Sequence, residues 1–165
     1  MIRSATEADL DAIVAALPHL IRAMNAAGND QWGTHYPLRA DFDRDRDEGA
    51  LFVDEEAGWV RGFVALNLVE PAEYAVQPWR ARGPSLVVHR LAVAPEFHRR
   101  GVADGLFAFA EAKAGKLGLD SLRSDTSDRN PAMNALFTRR GWQRVGTIRF
   151  SDATVDFGAW EKLLP

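Results

Sequence analysis

The chain has 165 residues, 47% of them hydrophobic and 26% charged, which fits one ordinary soluble domain with its own core and excludes a disordered or collagen-like chain. Lys and Arg number 20 against 23 Asp and Glu, a net charge of −3 that does not suit a general nucleic-acid binder. There is no cysteine, so disulfides, thiolate zinc sites and cysteine nucleophiles are excluded, and a cytoplasmic protein with no metal centre is the expectation.

Met1-Ile2-Arg3 runs into Glu7, Asp9 and Asp11, which is not the apolar run of a secretory leader, and no stretch approaches the roughly 18 apolar residues of a membrane span. No membrane partner is expected. Residues 1–5 read as a short strand. Thr6 with Asp9 is a variant capping box, and Leu10, Ile13, Val14 and Leu17 recur with helical period. Pro18 is expected to kink or divide that helix, since it lacks an N–H, and Gly28 to end it.

Residues 29–37 read as a loop rich in aromatics, and the charged stretch 38–48 as a short exposed helix closed by Gly49. Leu51–Glu55 and Trp59–Val69 read as strands about a turn. A longer connection, Pro71–Pro84, precedes the strand Leu86–Val93, which Pro95 ends. A helix from Gly101 to about Lys116, a strand Ser121–Asp125 and a helix from Asn130-Pro131 to Arg140 follow. Trp142–Phe150 and Thr154–Leu163 read as two closing strands. No linker or repeat interrupts the chain, so residues 1–165 are expected to form a single domain of mixed sheet with helices on its faces.

The segment Leu91-Ala92-Val93-Ala94-Pro95-Glu96-Phe97-His98-Arg99-Arg100-Gly101-Val102-Ala103 carries the chemical signal. An apolar strand stops at a proline, a basic loop follows, and Gly101 opens a helix whose unpaired N–H groups suit a phosphate. Gly101 and Ala103 leave the backbone open to an anion, and Arg99 and Arg100 add positive charge. The pattern is neither a Walker loop nor a dinucleotide fingerprint. An ordinary strand–turn–helix with a solvated Arg pair is the competing reading of this loop taken alone.

A second block, Asn130-Pro131-Ala132-Met133-Asn134-Ala135-Leu136-Phe137-Thr138-Arg139-Arg140-Gly141-Trp142, follows at a fixed distance. The pair of blocks resembles the GNAT superfamily of N-acetyltransferases, over roughly residues 50–163. The resemblance implies an α/β (α+β mixed) fold, with a central mixed, mostly antiparallel twisted sheet of about seven strands flanked by about four helices. It implies acetyl-CoA as co-substrate, bound by His98, Arg99, Arg100, Gly101, Val102 and Ala103 at the pyrophosphate. The backbone of Leu91, Ala92 and Val93 would pair with the pantetheine arm, and Asn130 and Phe137 would lie along the cofactor. His98 stands where the family has Gln or Arg, and Trp142 where it has Phe. Phe137 replaces a Tyr that in many members protonates the departing thiolate, a task Phe cannot perform. Asn130 is equally well read as a helix N-cap.

Amine acetylation needs a deprotonated amine, a stabilised thioester oxygen and a leaving thiolate. An alkylammonium with pKa ~10 needs a base at pH 7, whereas a thiol of pKa ~8.5 leaves readily. His89 is the candidate catalytic base. Strand alternation puts Val87, His89 and Leu91 on one face unless a bulge shifts the register. His89-Arg90-Leu91-Ala92-Val93 also resembles the arylalkylamine acetyltransferases, where a His at this spacing acts as base. A structural, hydrogen-bonded His89 is the alternative. Trp32, Tyr36, Tyr74 and Trp79 are candidate acceptor-site residues, or else aromatic anchors packed on the core, and Glu70, Glu73 and Asp125 are candidate partners for a cationic amine. The partner expected is a small-molecule amine, with a homodimer admitted on family grounds alone. A non-catalytic acyl-CoA sensor, suggested by Phe137, and a phosphate-binding protein of another class are the rival readings.

Overall fold

The computed structural model describes residues 1–151 and 153–165. The elements follow the order read from the sequence: β1 (Ile2–Ser4), α1 (Glu7–Ala26), α2 (Arg39–Asp47), β2 (Leu51–Glu56), β3 (Trp59–Asn67), β4 (Ser85–Val93), α3 (Val102–Lys116), β5 (Ser121–Ser127), α4 (Pro131–Arg139), β6 (Gln143–Ile148) and β7 (Phe157–Leu163). The seven strands form one sheet in the order β1-β2-β3-β4-β5-β7-β6. The β4–β5 ladder is parallel, while β1–β2, β2–β3, β5–β7 and β6–β7 are antiparallel. This is the mixed, mostly antiparallel sheet with four helices that the two sequence blocks implied.

The chain divides into two compact units, Met1–Leu66 with His89–Phe109 and Asn67–Val88 with Ala110–Pro165. In the first, α1 starts with the expected capping box: the Asp9 amide donates to Thr6 Oγ1 at 3.3 Å and the Thr6 amide to Asp9 Oδ2 at 2.8 Å. Of the kink or division expected at Pro18, division does not occur: α1 runs unbroken through it. Pro18 is exposed while Leu17 and Leu20 on either side are buried. Water can therefore serve the carbonyl that proline leaves unpaired, and the apolar stripe holds the helix together. Leu10, Ile13, Leu17 and Leu20 meet Trp32, Phe42, Leu51, Val53 and Phe63 in one core.

The stretch 38–48 corrects the expectation of an exposed helix. Phe42 and Asp45, one helical turn apart, are 0% and 1% exposed, so α2 presents an inner face of one aromatic and one acid. In the second unit, Tyr74, Val87, Ile148 and Ala159 form a smaller core. There Leu86, Val87, Val88 and Leu122 of the parallel pair are all buried, as expected where both sheet faces are covered.

Candidate functional site

The end of β4 and the loop after it are shaped by local bonds. The Ala94 amide donates to the Arg61 carbonyl at 2.9 Å. Pro95, with no N–H to offer the sheet, opens a 3-10 turn over Pro95–Phe97. His98 turns its ring back so that Nε2 lies 3.0 Å from the Val93 carbonyl. A carbonyl only accepts, so Nε2 carries the proton in this bond. Arg100 lies with its guanidinium carbon 5.4 Å from the Phe97 ring centroid.

Arg99 and Gly101 take φ of +60° and +76°, so the chain reverses sharply before α3. Arg99, Arg100 and Gly101 are exposed. The first bond of the helix runs from the Gly105 amide to the Gly101 carbonyl, which leaves the N–H groups of Gly101, Val102 and Ala103 without an acceptor inside α3. Together with the helix dipole and two cationic side chains, this makes an anion cradle of the kind phosphates occupy. The sequence reading had missed Gly62 of β3, which the cradle requires. A Cβ there would stand 2.9 Å from the Ala92 carbonyl oxygen and 2.9 Å from Val102 Cγ1, so only glycine lets β3, β4 and the start of α3 approach this closely.

His89 is half-buried on β4. The next residue breaks the alternation assumed from the sequence: Arg90 has φ +48°, a left-handed conformation that costs an L-residue about 1–2 kcal/mol. Residues 87, 89 and 91 therefore do not form one uninterrupted row. The Arg90 side chain is held at three of its guanidinium nitrogens. Its Nε and Nη2 each donate to Asp45 at 2.6 Å, and Nη1 donates to the Tyr36 hydroxyl at 2.9 Å. Nothing in the local sequence pairs residue 45 with residue 90; only the i,i+3 spacing of Phe42 and Asp45 on α2 hinted that Asp45 faces inward.

In the second unit β4 and β5 pair through Ser85–Val87 and Ser121–Arg123, and the Val88 carbonyl accepts from Ser124 Oγ at 2.8 Å. Asn130 caps α4: its Oδ1 accepts from the Met133 amide at 3.1 Å, and its Nδ2 donates to Thr126 Oγ1 at 3.1 Å. Phe137 is 1% exposed and packs between Trp142 and Trp160, with centroids 4.8 and 5.2 Å away. Arg140 pairs with Glu111 at 2.9 Å, and Arg139 is exposed.

The four candidate acceptor aromatics differ in placement. Trp32 is a buried core residue stacked on Phe63. Tyr36, 40% exposed, meets Trp32 edge-on and accepts from Arg90. Tyr74 is wholly buried and donates to Asp125 at 2.7 Å. Trp79 Nε1 donates to the Tyr74 carbonyl at 2.8 Å, and the Arg123 guanidinium lies 4.7 Å from its ring centroid. Glu70 is taken up by Arg123 at 2.6 Å. Burial pushes the Asp125 carboxyl up to about 6, against the Tyr74 hydrogen bond and with help from Glu73. Among the described residues no cluster of His, Cys, Asp or Glu can hold a metal ion, and no helix is long and apolar enough to cross a membrane.

The model of the acetyltransferase (GNAT) family matches residues 17–142. The chain belongs to the GNAT family. It is an N-acetyltransferase, and members of this family generally use acetyl-CoA as acetyl donor. Among solved structures, a GNAT acetyltransferase from Streptococcus agalactiae 2603 superposes with a TM-score of 0.84 at 23% identity, covering 100% of this chain and 95% of that one. An N-acetyltransferase from Staphylococcus aureus Mu50 gives 0.72 at 23% identity, over 100% and 98%. A ribosomal-protein-alanine N-acetyltransferase from Brucella melitensis gives 0.70 at 22% identity, over 99% and 99%. A comparison with curated proteins returned no match. At these identities the structural likeness speaks for the GNAT fold, and the family match for the activity.

Proposed function

We propose that this GNAT enzyme transfers the acetyl group of acetyl-CoA to the primary amine of a small molecule, or of a peptide, by direct attack within a ternary complex. The observation that carries the reading is the cradle at the N-terminus of α3. It combines backbone N–H groups without helical acceptors, Arg99 and Arg100 beside them, and Gly62 clearing the space beneath. This fits the pyrophosphate of acetyl-CoA, with His98 fixing the loop to β4 and Ala103 leaving the helix start open.

The Leu91–Val93 backbone is suited to pair with the pantetheine arm and to polarise the thioester carbonyl. His89, half-buried one residue before the left-handed turn, accepts the amine proton directly or through water. The free amine attacks the thioester carbon. The C–N bond forms as the C–S bond breaks, and CoA leaves as a thiolate that takes its proton from solvent. Phe137 supplies no acid, and a thiol of pKa ~8.5 needs little help. Asn130 and Phe137 remain candidates for the cofactor arm, as the resemblance of the second block implies. Tyr36, with its exposed ring, is the acceptor-site residue best placed to touch the amine substrate. Trp32, Tyr74 and Trp79 remain the other acceptor-site candidates, with Trp32 and Tyr74 buried. The name of the Brucella relative carries a protein acceptor, so peptide amines belong beside small amines in any substrate panel.

The test is thermal stability with excess acetyl-CoA, CoA or ATP, followed by an amine panel with wild type and His89→Ala. A ligand at 100 times its dissociation constant adds about 2.7 kcal/mol. Shifts with acetyl-CoA and CoA but not ATP, then turnover reduced about 100-fold or more by His89→Ala, are expected. An equal shift with ATP overturns the cofactor assignment, and binding without turnover across the panel overturns the proposed acceptor class.

A further inference from the structure

We propose that Asp45 is a positioning residue for acetyl transfer: through Arg90 it holds the left-handed turn of β4 that separates His89 from the Leu91–Val93 segment. The inference rests on the functional reading of those residues given above. An arginine left to itself avoids φ near +48°, because its Cβ crowds the carbonyl that follows. Relaxed to an extended conformation, Arg90 would restore simple alternation and move the residues after it to the opposite face.

What prevents this is a grip on the side chain. Asp45 takes Nε and Nη2 in a forked pair at 2.6 Å each, and Tyr36 takes Nη1 at 2.9 Å. The planar guanidinium allows little freedom once two edges are bonded. The side chains of Arg90 and Asp45 are 9% and 1% exposed. A buried ion pair adds little stability over an apolar pair of similar volume, so its best use is to fix one geometry. Here the geometry fixed is that of the backbone joining the candidate base to the candidate thioester-polarising strand. Tyr36 brings the 29–37 loop to the same guanidinium, so acceptor loop and β4 are set by one acid.

The experiment compares Asp45→Asn, Tyr36→Phe, Arg90→Gly and Arg90→Val with Asp9→Asn, which alters another buried carboxylate of the same unit. It reads kcat, KM for acetyl-CoA and amide hydrogen exchange at Leu91, Ala92 and Val93. Asp45→Asn is expected to lower kcat about 10- to 100-fold, the scale of a misplacement near 1 Å, and to speed exchange at all three amides. KM for acetyl-CoA rises by less than kcat falls, because the α3 cradle keeps its own charges and N–H groups while the Leu91–Val93 pairing loosens. Tyr36→Phe, the mildest change, gives a smaller loss in the same direction. Arg90→Gly and Arg90→Val both leave Asp45 without its guanidinium, but glycine adopts a positive φ freely and β-branched valine resists it, so Arg90→Gly keeps at least about fivefold more kcat than Arg90→Val.

The proposal is overturned if Asp45→Asn and Tyr36→Phe match Asp9→Asn in both kcat and exchange, or if Gly and Val at position 90 behave alike. Should His89→Ala keep full kcat, it is the assignment of the base that fails, and the exchange measurement still decides the role of Asp45.

Discussion

The ring of Phe137 lies stacked on that of Trp160, 5.2 Å between centroids and 21° between planes. It is 1% exposed, at the position where the resemblance of the second block implies a tyrosine in many GNAT members. Restoring the hydroxyl would put a polar group among aromatic rings. Phe137→Tyr is expected to cost about 1–3 kcal/mol of stability and to leave kcat within about threefold, because thiolate departure needs little acid assistance. Chemical denaturation and steady-state kinetics on the same preparation check both halves. A large rise in kcat would show that the ring edge reaches the leaving group.

Asp9 accepts from Arg3 at 2.6 and 3.0 Å and from Thr6. The hydrogen bond from Arg3 leads in holding its carboxyl down at about 2, burial opposing it and Thr6 assisting. A depressed carboxylate stabilises the fold above its unfolded pKa of ~3.9, and the contribution disappears as pH falls toward 2. Asp9→Asn should therefore cost about 1–2 kcal/mol at pH 7 and almost nothing near pH 2. Urea titrations across that range read the difference.

Asp125 has the opposite sign. Its carboxyl is pushed up to about 6, so the folded state holds a proton that the unfolded state has released between roughly pH 4 and 6. The stability associated with this group falls as pH rises through that window. Asp125→Asn keeps an acceptor for the Tyr74 hydroxyl and removes the buried charge. It should stabilise the protein by about 1–3 kcal/mol at pH 7.5 and have little effect at pH 4, seen as a Tm difference that opens with pH.

Two glycines near the cradle should respond differently to alanine. At Gly62 the obstacle is space: a Cβ meets a backbone carbonyl and Val102 at 2.9 Å, so Gly62→Ala should cost about 1–3 kcal/mol through overpacking. At Gly101 nothing lies within 4 Å, but φ is +76°, so Gly101→Ala pays about 1–2 kcal/mol of backbone strain. Gly101→Ala should also weaken CoA binding out of proportion to its stability loss, since relaxing φ moves the N–H groups of the cradle. Calorimetric titration with CoA separates the two.

All eleven elements and their order were legible in the sequence, because each is announced locally. The capping box at Thr6, the Asn130-Pro131 start and the glycines closing α1, α2 and α4 act within a few residues of chain. The two GNAT blocks were legible for the same reason, as a strand, loop and helix start read consecutively. The exposed character assigned to α2 failed because charge content conceals one inward turn of Phe42 and Asp45.

The sequence by itself thus determined the family, the sheet with its four helices and the basic loop before α3, since their signals are short-range patterns of period, charge and turn chemistry. Only the tertiary structure decided how the site is held. Asp45 and Arg90 are 45 residues apart in sequence, Tyr74 and Asp125 are 51, and Gly62 matters because of Ala92 and Val102. Those relationships depend on which surfaces the folded chain brings within hydrogen-bonding or van der Waals distance. A conformation such as the left-handed Arg90, disfavoured by its own residue type, is set by such distant partners rather than by its neighbours in the chain.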